Sequence, residues 1–291
     1  MIWPCNILLE MEIPNMQRQT LEINIDALEQ PVKEYATKDD AAGFESPQAT
    51  PSSSSKPSRS ISVVFPAFNE EANVKRAVTS AKEVFSRYFD DIEIIVVDDG
   101  STDATRVRLF DVAEKIPELM LQSHDVNRGY GAALRTGIEA ATNELIFFTD
   151  SDLQFDLNEI EMLLEWIDNH DIVAGYREKR ADPLIRKFNA WGWNMLVRMV
   201  LGVKVKDIDC AFKVFHRRVF DKMELESVGA MINTEILARA KHKNMTIKEV
   251  PVSHFRREEG EQTGANIKVI FKAFKELFLM RGKLSRDRDF S

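Results

Sequence analysis

From Ile61 onward the chain alternates short, nearly unbroken apolar runs with longer stretches in which apolar residues recur every three or four positions. The short runs predict buried strands over 61–65, 92–97, 145–148, 172–174 and 247–252, with a further short one over 119–121. The longer stretches predict helices. Val74, Ala77, Val78, Ala81, Val84 and Phe85 line one face of a helix over 71–88, and others are expected from 104, up to 141, over 157–167, over 183–201 and over 232–241. Residues 207–215 read as a turn feeding a strand. Strand, turn and helix repeated in this order predict an α/β fold, a doubly wound and mainly parallel sheet flanked by helices, over 61–260. Turns that follow the strands of such a sheet share one edge, where ligands bind.

The pattern fails before residue 61. That segment is punctuated by proline and ends in Pro51-Ser52-Ser53-Ser54-Ser55-Lys56-Pro57-Ser58, which cannot bury enough apolar surface to offset backbone ordering. We expect a disordered tail or linker over 1–60. At the other end, 261–291 holds an amphipathic helix over 266–283, dense in Ile, Val, Phe and Leu and flanked by Lys268, Lys272, Lys275, Arg281 and Lys283. Such a helix suits an anionic membrane surface, and equally a core or dimer contact.

Composition narrows the classes. With 39 basic and 47 acidic residues in 291, the net charge of −8 argues against a general nucleic-acid binder. Cys5 and Cys210 lack metal-site spacing, so neither a disulfide framework nor a structural zinc is expected. No apolar run reaches membrane-spanning length and no basic-then-apolar leader opens the chain, so the expectation is a cytoplasmic protein.

The chemistry sits at the strand ends. The run over 145–148 leads into Thr149-Asp150-Ser151-Asp152-Leu153-Gln154, whose carboxylates and amide offer only hard oxygen ligands, suited to Mg²⁺ or Mn²⁺ shared with substrate phosphates. A solvated Asp/Ser turn is the plainer alternative. Asp98-Asp99 closes another strand and either accepts from a base or ribose or forms a turn with Gly100; Asn69-Glu70 either faces the ligand or caps a helix. Gly129-x-Gly131 is half of a dinucleotide fingerprint, with Leu134 where the third glycine belongs. Arg177, Arg186, Arg256 and Arg257 are candidates for an anionic acceptor or leaving diphosphate, or solvated surface charges. There is no P-loop and no Gly-x-Ser-x-Gly elbow.

Together, the segments over 64–71, 96–103, 127–131 and 149–154 resemble the family-2 inverting glycosyltransferases of GT-A fold, in particular their dolichyl- or polyprenyl-phosphate hexosyltransferase branch. The resemblance implies that Pro66, Phe68, Glu70, Asp98 and Asp99 border the nucleoside of a UDP- or GDP-linked sugar. It implies that Asp150, Ser151 and Asp152 meet its diphosphate, with Asp150, Asp152 and Gln154 on the metal. Arg177 and Arg186 resemble residues that meet an acceptor phosphate, and Asp209 matches an element near the acceptor. The Gln-x-x-Arg-Trp element of processive synthases is absent, which implies transfer of a single hexose. A lipid-phosphate acceptor is already anionic, whereas a hydroxyl acceptor needs a base, for which Asp209 is the candidate. A homo-oligomer fits the same reading. The competing readings are a nucleotidyltransferase, which lacks its Gly-rich basic loop here, and a non-catalytic nucleotide-sugar binder.

Overall fold

The structure, a computed structural model, describes residues 59–178, 184–256 and 267–288, with side chains over 59–178, 192–221, 223–256 and 274–284. The expected tail over 1–60 lies almost wholly outside these residues. A single seven-stranded sheet contains β1 (Ser60–Ala67), β2 (Asp91–Asp98), β3 (Leu119–Ser123), β4 (Leu145–Thr149), β5 (Ile172–Arg177), β6 (Phe212–His216) and β7 (Ile247–Val252). Their order is β3-β2-β1-β4-β6-β5-β7. Every neighbouring pair is parallel except the two made by β6, which runs antiparallel to β4 and β5.

Strands covered on both faces must be apolar throughout, and β1 and β4 are buried along nearly their full length. Glu93, the one charge in the β2 run, is used locally, accepting from Ser62 Oγ and from Thr142 N at 2.9 Å. Helix α1 (Val74–Phe85) buries the six residues predicted to face the sheet. Helices α2 (Thr105–Ala113), α3 (Tyr130–Ala140) and α4 (Ile160–Ile167) complete the cover.

A smaller core lies between α5 (Leu184–Leu201), α6 (Met231–His242) and α7 (Ile267–Arg288). There Leu277, Met280 and Leu284 of α7 pack with Val197, Val203, Ile208 and Leu237. Away from that core α7 exposes Phe278 and Leu279, while Phe274, one turn before Leu277, sets its ring edge-on to Trp193 at 6.0 Å and stays part-open at the margin. The C-terminal helix therefore has one packed face and one open apolar face.

Two differences from expectation matter for function. Strands β1, β2 and β5 run to Ala67, Asp98 and Arg177, so Pro66, Asp98 and Arg177 are strand residues with fixed direction rather than turn residues. Reversal of β6 also brings its amino end to the edge where the parallel strands finish, with Phe212 opposite Thr149. Apolar periodicity does not encode strand direction, so this juxtaposition was not readable from the chain.

Candidate functional site

At the carboxyl edge the first two loops are sewn together. Asn69 adopts a left-handed conformation (φ 54°) that its short side chain tolerates, and its Oδ1 accepts from Thr102 N at 2.9 Å. Glu70 N donates to Thr105 Oγ1 (2.8 Å), and Ala104 N donates to Glu71 Oε2 (2.9 Å). These bonds hold 69–71 out of helical geometry, which is why α1 begins only at Val74. Phe68 and Glu70 are part-exposed at the rim, and Pro66 is buried beneath them.

Asp98 and Asp99 take different roles. Asp98 is fully buried; Oδ1 accepts from Ser101 N (2.9 Å) and Oδ2 from Arg106 Nε (2.6 Å). Asp99 turns the other way, accepting from Arg128 N and Gly129 N, both at 2.8 Å, with His124 Nδ1 at 2.7 Å. Asp99, expected beside the nucleoside, braces the 127–131 loop. The glycines of that loop have a packing reason: a Cβ on Gly131 would lie 2.5 Å from Ser227 O, and one on Gly129 would lie 2.5 Å from Val228 O. The half-fingerprint serves close approach of two backbone segments, sealed by Gly131 N donating to Val228 O at 2.9 Å.

Asp150 and Asp152 lie beyond the end of β4, Asp150 part-exposed and Asp152 buried. Leu153 has φ 60°, and Asp152 Oδ1 accepts from Gln154 N at 3.2 Å. Ser151, expected on the diphosphate, donates its hydroxyl to Pro66 O at 3.2 Å and so ties β4 to β1. Gln154, expected on the metal, donates Nε2 to Phe255 O (2.9 Å) and accepts from Phe255 N at its own carbonyl (2.8 Å). It is a tether for the 253–256 segment, which holds Phe255 and Arg256 exposed at the rim. Among the described residues no three His, Cys, Asp or Glu side chains converge as a complete metal site. The chain thus offers two carboxylates, Asp150 and Asp152, a set that fits Mg²⁺ or Mn²⁺ completed by substrate phosphate and water.

The acceptor-side residues take varied places. Arg177 is buried and forked onto Asp207, Nε to Oδ2 at 2.6 Å and Nη2 to Oδ1 at 2.8 Å. Burial alone would lower its pKa; the Asp207 charge outweighs that and holds it above the ordinary value. Its guanidinium fork is spent inside the protein rather than presented to an acceptor phosphate. Arg186 lies on α5, with its side chain outside the described set, as is Arg257. Asp209 is part-exposed in the loop between α5 and β6, facing the same edge as Asp150. Burial pushes the neighbouring Cys210 thiol up to about 12, which keeps it protonated and inert.

Three residues at this edge had passed as ordinary in the sequence. Lys213, inside β6, is buried with its ammonium on the carbonyls of Ile208 (3.1 Å) and Cys210 and on Asn233 Oδ1 (3.4 Å). Glu235 accepts from Ser227 N at 2.8 Å and from Arg239 Nε at 2.9 Å, fixing the loop that the glycines touch. Tyr130 is 8% exposed, with its hydroxyl oxygen buried. A lysine in an otherwise apolar strand was the one readable signal; the other two needed the fold.

A parallel-dominated sheet with an Asp-x-Asp pair at its carboxyl edge and one reversed strand delivering a second loop to that pair is the arrangement of a GT-A glycosyltransferase. Residues 62–228 match glycosyl transferase family 2, and the chain belongs to that family. It is 31% identical to dodecaprenyl-phosphate galacturonate synthase of Rhizobium johnstonii, over 77% of this chain and 68% of that protein. It is 29% identical to undecaprenyl-phosphate 4-deoxy-4-formamido-L-arabinose transferase of Pseudomonas fluorescens, over 74% of this chain and 63% of that one. With AglD of Haloferax volcanii it shares 30% identity over 66% of this chain and 32% of the relative. The chain thus spans about two thirds of the first two relatives and a third of the last. Glucosyl-3-phosphoglycerate synthase of Mycobacterium tuberculosis, solved with phosphoglyceric acid, superposes with a TM-score of 0.59 at 20% identity, covering 78% of this chain and 80% of that one. The same enzyme solved with Mn²⁺, UDP and glucosyl-3-phosphoglycerate gives 0.58 at 18% identity, covering 78% and 80%. Both show the shared fold.

Proposed function

We propose that this glycosyltransferase moves one hexose, with inversion, from a UDP- or GDP-linked sugar to a polyprenyl or dolichyl phosphate. The observation that carries the reading is the meeting of Asp150 and Asp152 with the 207–211 loop at one sheet edge, in a chain whose relatives are named for polyprenyl-phosphate acceptors. Asp150 and Asp152 would hold a divalent cation that, when bound, neutralises charge developing on the leaving nucleoside diphosphate. Phe68 and Glu70 would border the nucleoside, with Pro66 and the Asp98 carboxylate, held by Arg106 and Ser101, buried beneath them. On the acceptor side the exposed Arg256 is a cation to which a phosphate can bind, with Arg177 bonded to Asp207; the resemblance adds Arg186. Incubation with a panel of nucleotide sugars, a short-chain polyprenyl phosphate and Mn²⁺, read by mass spectrometry, should yield one glycosyl phosphate lipid. Donor turnover onto water or a soluble hydroxyl alone would contradict the acceptor.

A phosphate acceptor brings its own anionic oxygen, so Asp209 has little proton to remove. Asp209→Asn should then retain transfer within about tenfold. Near-total loss with normal nucleotide binding would make Asp209 the base and a hydroxyl the acceptor.

A lipid acceptor also accounts for the open apolar faces of α5 and α7. Met195 and Met199 on α5 and Phe274, Phe278 and Leu279 on α7 are exposed beside Arg198, Lys275 and Arg281. Asn194, next to Met195, holds the acceptor-side loop through Lys206 O at 2.8 Å. Among the described residues no helix is long and apolar enough to cross a membrane, and the contact proposed is made through these exposed side chains. The full chain should float with anionic vesicles, and Phe278→Asp with Leu279→Asp should reduce its recovery several-fold. Equal recovery would remove the membrane contact.

A further inference from the structure

The two edges of the sheet are guarded differently. β7 carries Lys248, Glu249 and Pro251, charges and a proline that keep an open edge from pairing with another strand. At the other edge β3, Leu119-Met120-Leu121-Gln122-Ser123, has neither. Its outward backbone groups can be named. Ile94 N donates to Glu118 O and His124 N to Asp98 O, both at 2.9 Å, so even-numbered positions face β2. The N–H and C=O groups of Leu121 and Ser123 therefore point away from the sheet, where no strand lies among the described residues. The flank of this edge is apolar. Arg106 of α2 reaches the end of β3, Nη2 to His124 O at 3.1 Å, and Phe110, one turn on and on the same side, is 58% exposed with Val107 beside it.

A strand laid on this edge needs an apolar side toward Phe110 and can keep the other side polar. The tail before residue 61 contains such a run. In Leu21-Glu22-Ile23-Asn24-Ile25-Asp26-Ala27 every odd-numbered residue is apolar and every even-numbered one polar, without proline. We propose that residues 21–27 of this chain occupy the edge as an eighth strand, with Leu21, Ile23 and Ile25 covering Phe110 and the backbone pairing with Leu121 and Ser123. The tether favours this occupant over a second copy. Arg59 stands immediately before β1, which is two strands from β3, a distance of about 10 Å. Residues 28–58 join the run to Arg59, and a coil of that length spans about 30 Å. The run therefore meets the edge at an effective concentration on the order of millimolar, which a separate chain does not reach.

The test is residue-resolved hydrogen exchange on the full chain, which needs no sugar transfer and so stands apart from the functional reading. The amides of Met120 and Gln122, which face β2, serve as the reference. Those of Leu121 and Ser123 should exchange at least a hundredfold slower than in an unstructured peptide, at every chain concentration. Ile23→Asp with Ile25→Asp leaves every residue of the described sheet in place. It should speed exchange at Leu121 and Ser123 at least tenfold while Met120 and Gln122 stay within threefold. Phe110→Asp should do the same from the other side of the contact. Glu22→Gln with Asp26→Asn, on the polar side, should leave all four amides unchanged. Free exchange at Leu121 and Ser123 in the wild type, or protection indifferent to Ile23 and Ile25, would overturn the proposal. Protection that grows with chain concentration, alongside a dimer in light scattering, would also overturn it and give the edge to a second copy.

Discussion

Asp152→Asn should reduce sugar transfer by on the order of 10²–10³-fold and abolish the dependence of nucleotide binding on Mn²⁺. The side chain is buried at the end of the DxD turn, and its Oδ1 accepts from Gln154 N. An asparagine keeps that acceptor and nearly the same volume, so the turn and its left-handed Leu153 should survive and the melting temperature should hold. What disappears is one of the two negative charges available to a divalent cation. Isothermal titration of nucleoside diphosphate with and without Mn²⁺, set beside the transfer rate, checks both parts. A variant that retains metal-dependent nucleotide binding would move the cation away from Asp152.

The largest stability effect should come from Asp207→Ala. It would leave the Arg177 guanidinium buried without its counter-charge, a loss of about 3–5 kcal/mol. For a domain of this size that corresponds to a fall of roughly 6–20 °C in melting temperature. Replacing both partners, Arg177→Met with Asp207→Leu, should recover most of the loss, because a buried ion pair exchanged for apolar packing is often near neutral. The same pair decides the role of Arg177. With the fork already committed to Asp207, the double variant should show an acceptor KM within a few-fold of the wild type. A rise above about a hundredfold at restored stability would return Arg177 to the acceptor phosphate.

What could be read from the chain follows from which forces are local. The strands and the inward face of α1 follow from apolar periodicity, which burial on both faces of a parallel sheet imposes directly. That the loops after β1, β2 and β4 share an edge follows from right-handed crossovers alone. Ser151 and Gln154 show what the chain does not carry. Their residue types suit a ligand site, and the fold adds partners that the chain does not announce: the Ser151 hydroxyl donates to Pro66 O and the Gln154 amide nitrogen to Phe255 O, 85 and 101 positions away. Arg177 is the same case, since its partner Asp207 is 30 positions on and across a helix. Long-range hydrogen bonds leave no periodic trace, so a polar residue near a site cannot be sorted into ligand contact or brace without the fold. Gly129 and Gly131 show the converse. Their pattern suggested phosphate, and the 226–229 backbone supplies the close approach instead.

The sheet edge that carries Phe68, Glu70, Asp150 and Asp152 should bind a nucleoside diphosphate together with a divalent cation. Thermal unfolding of the wild-type chain with UDP, GDP, their sugars and NAD, each with and without Mn²⁺, tests it most directly, because a ligand that binds only the folded state raises the melting temperature. A shift is expected for the nucleotides of one base, present only with the metal, and none with NAD. No shift from any nucleoside diphosphate, with or without the cation, would contradict it.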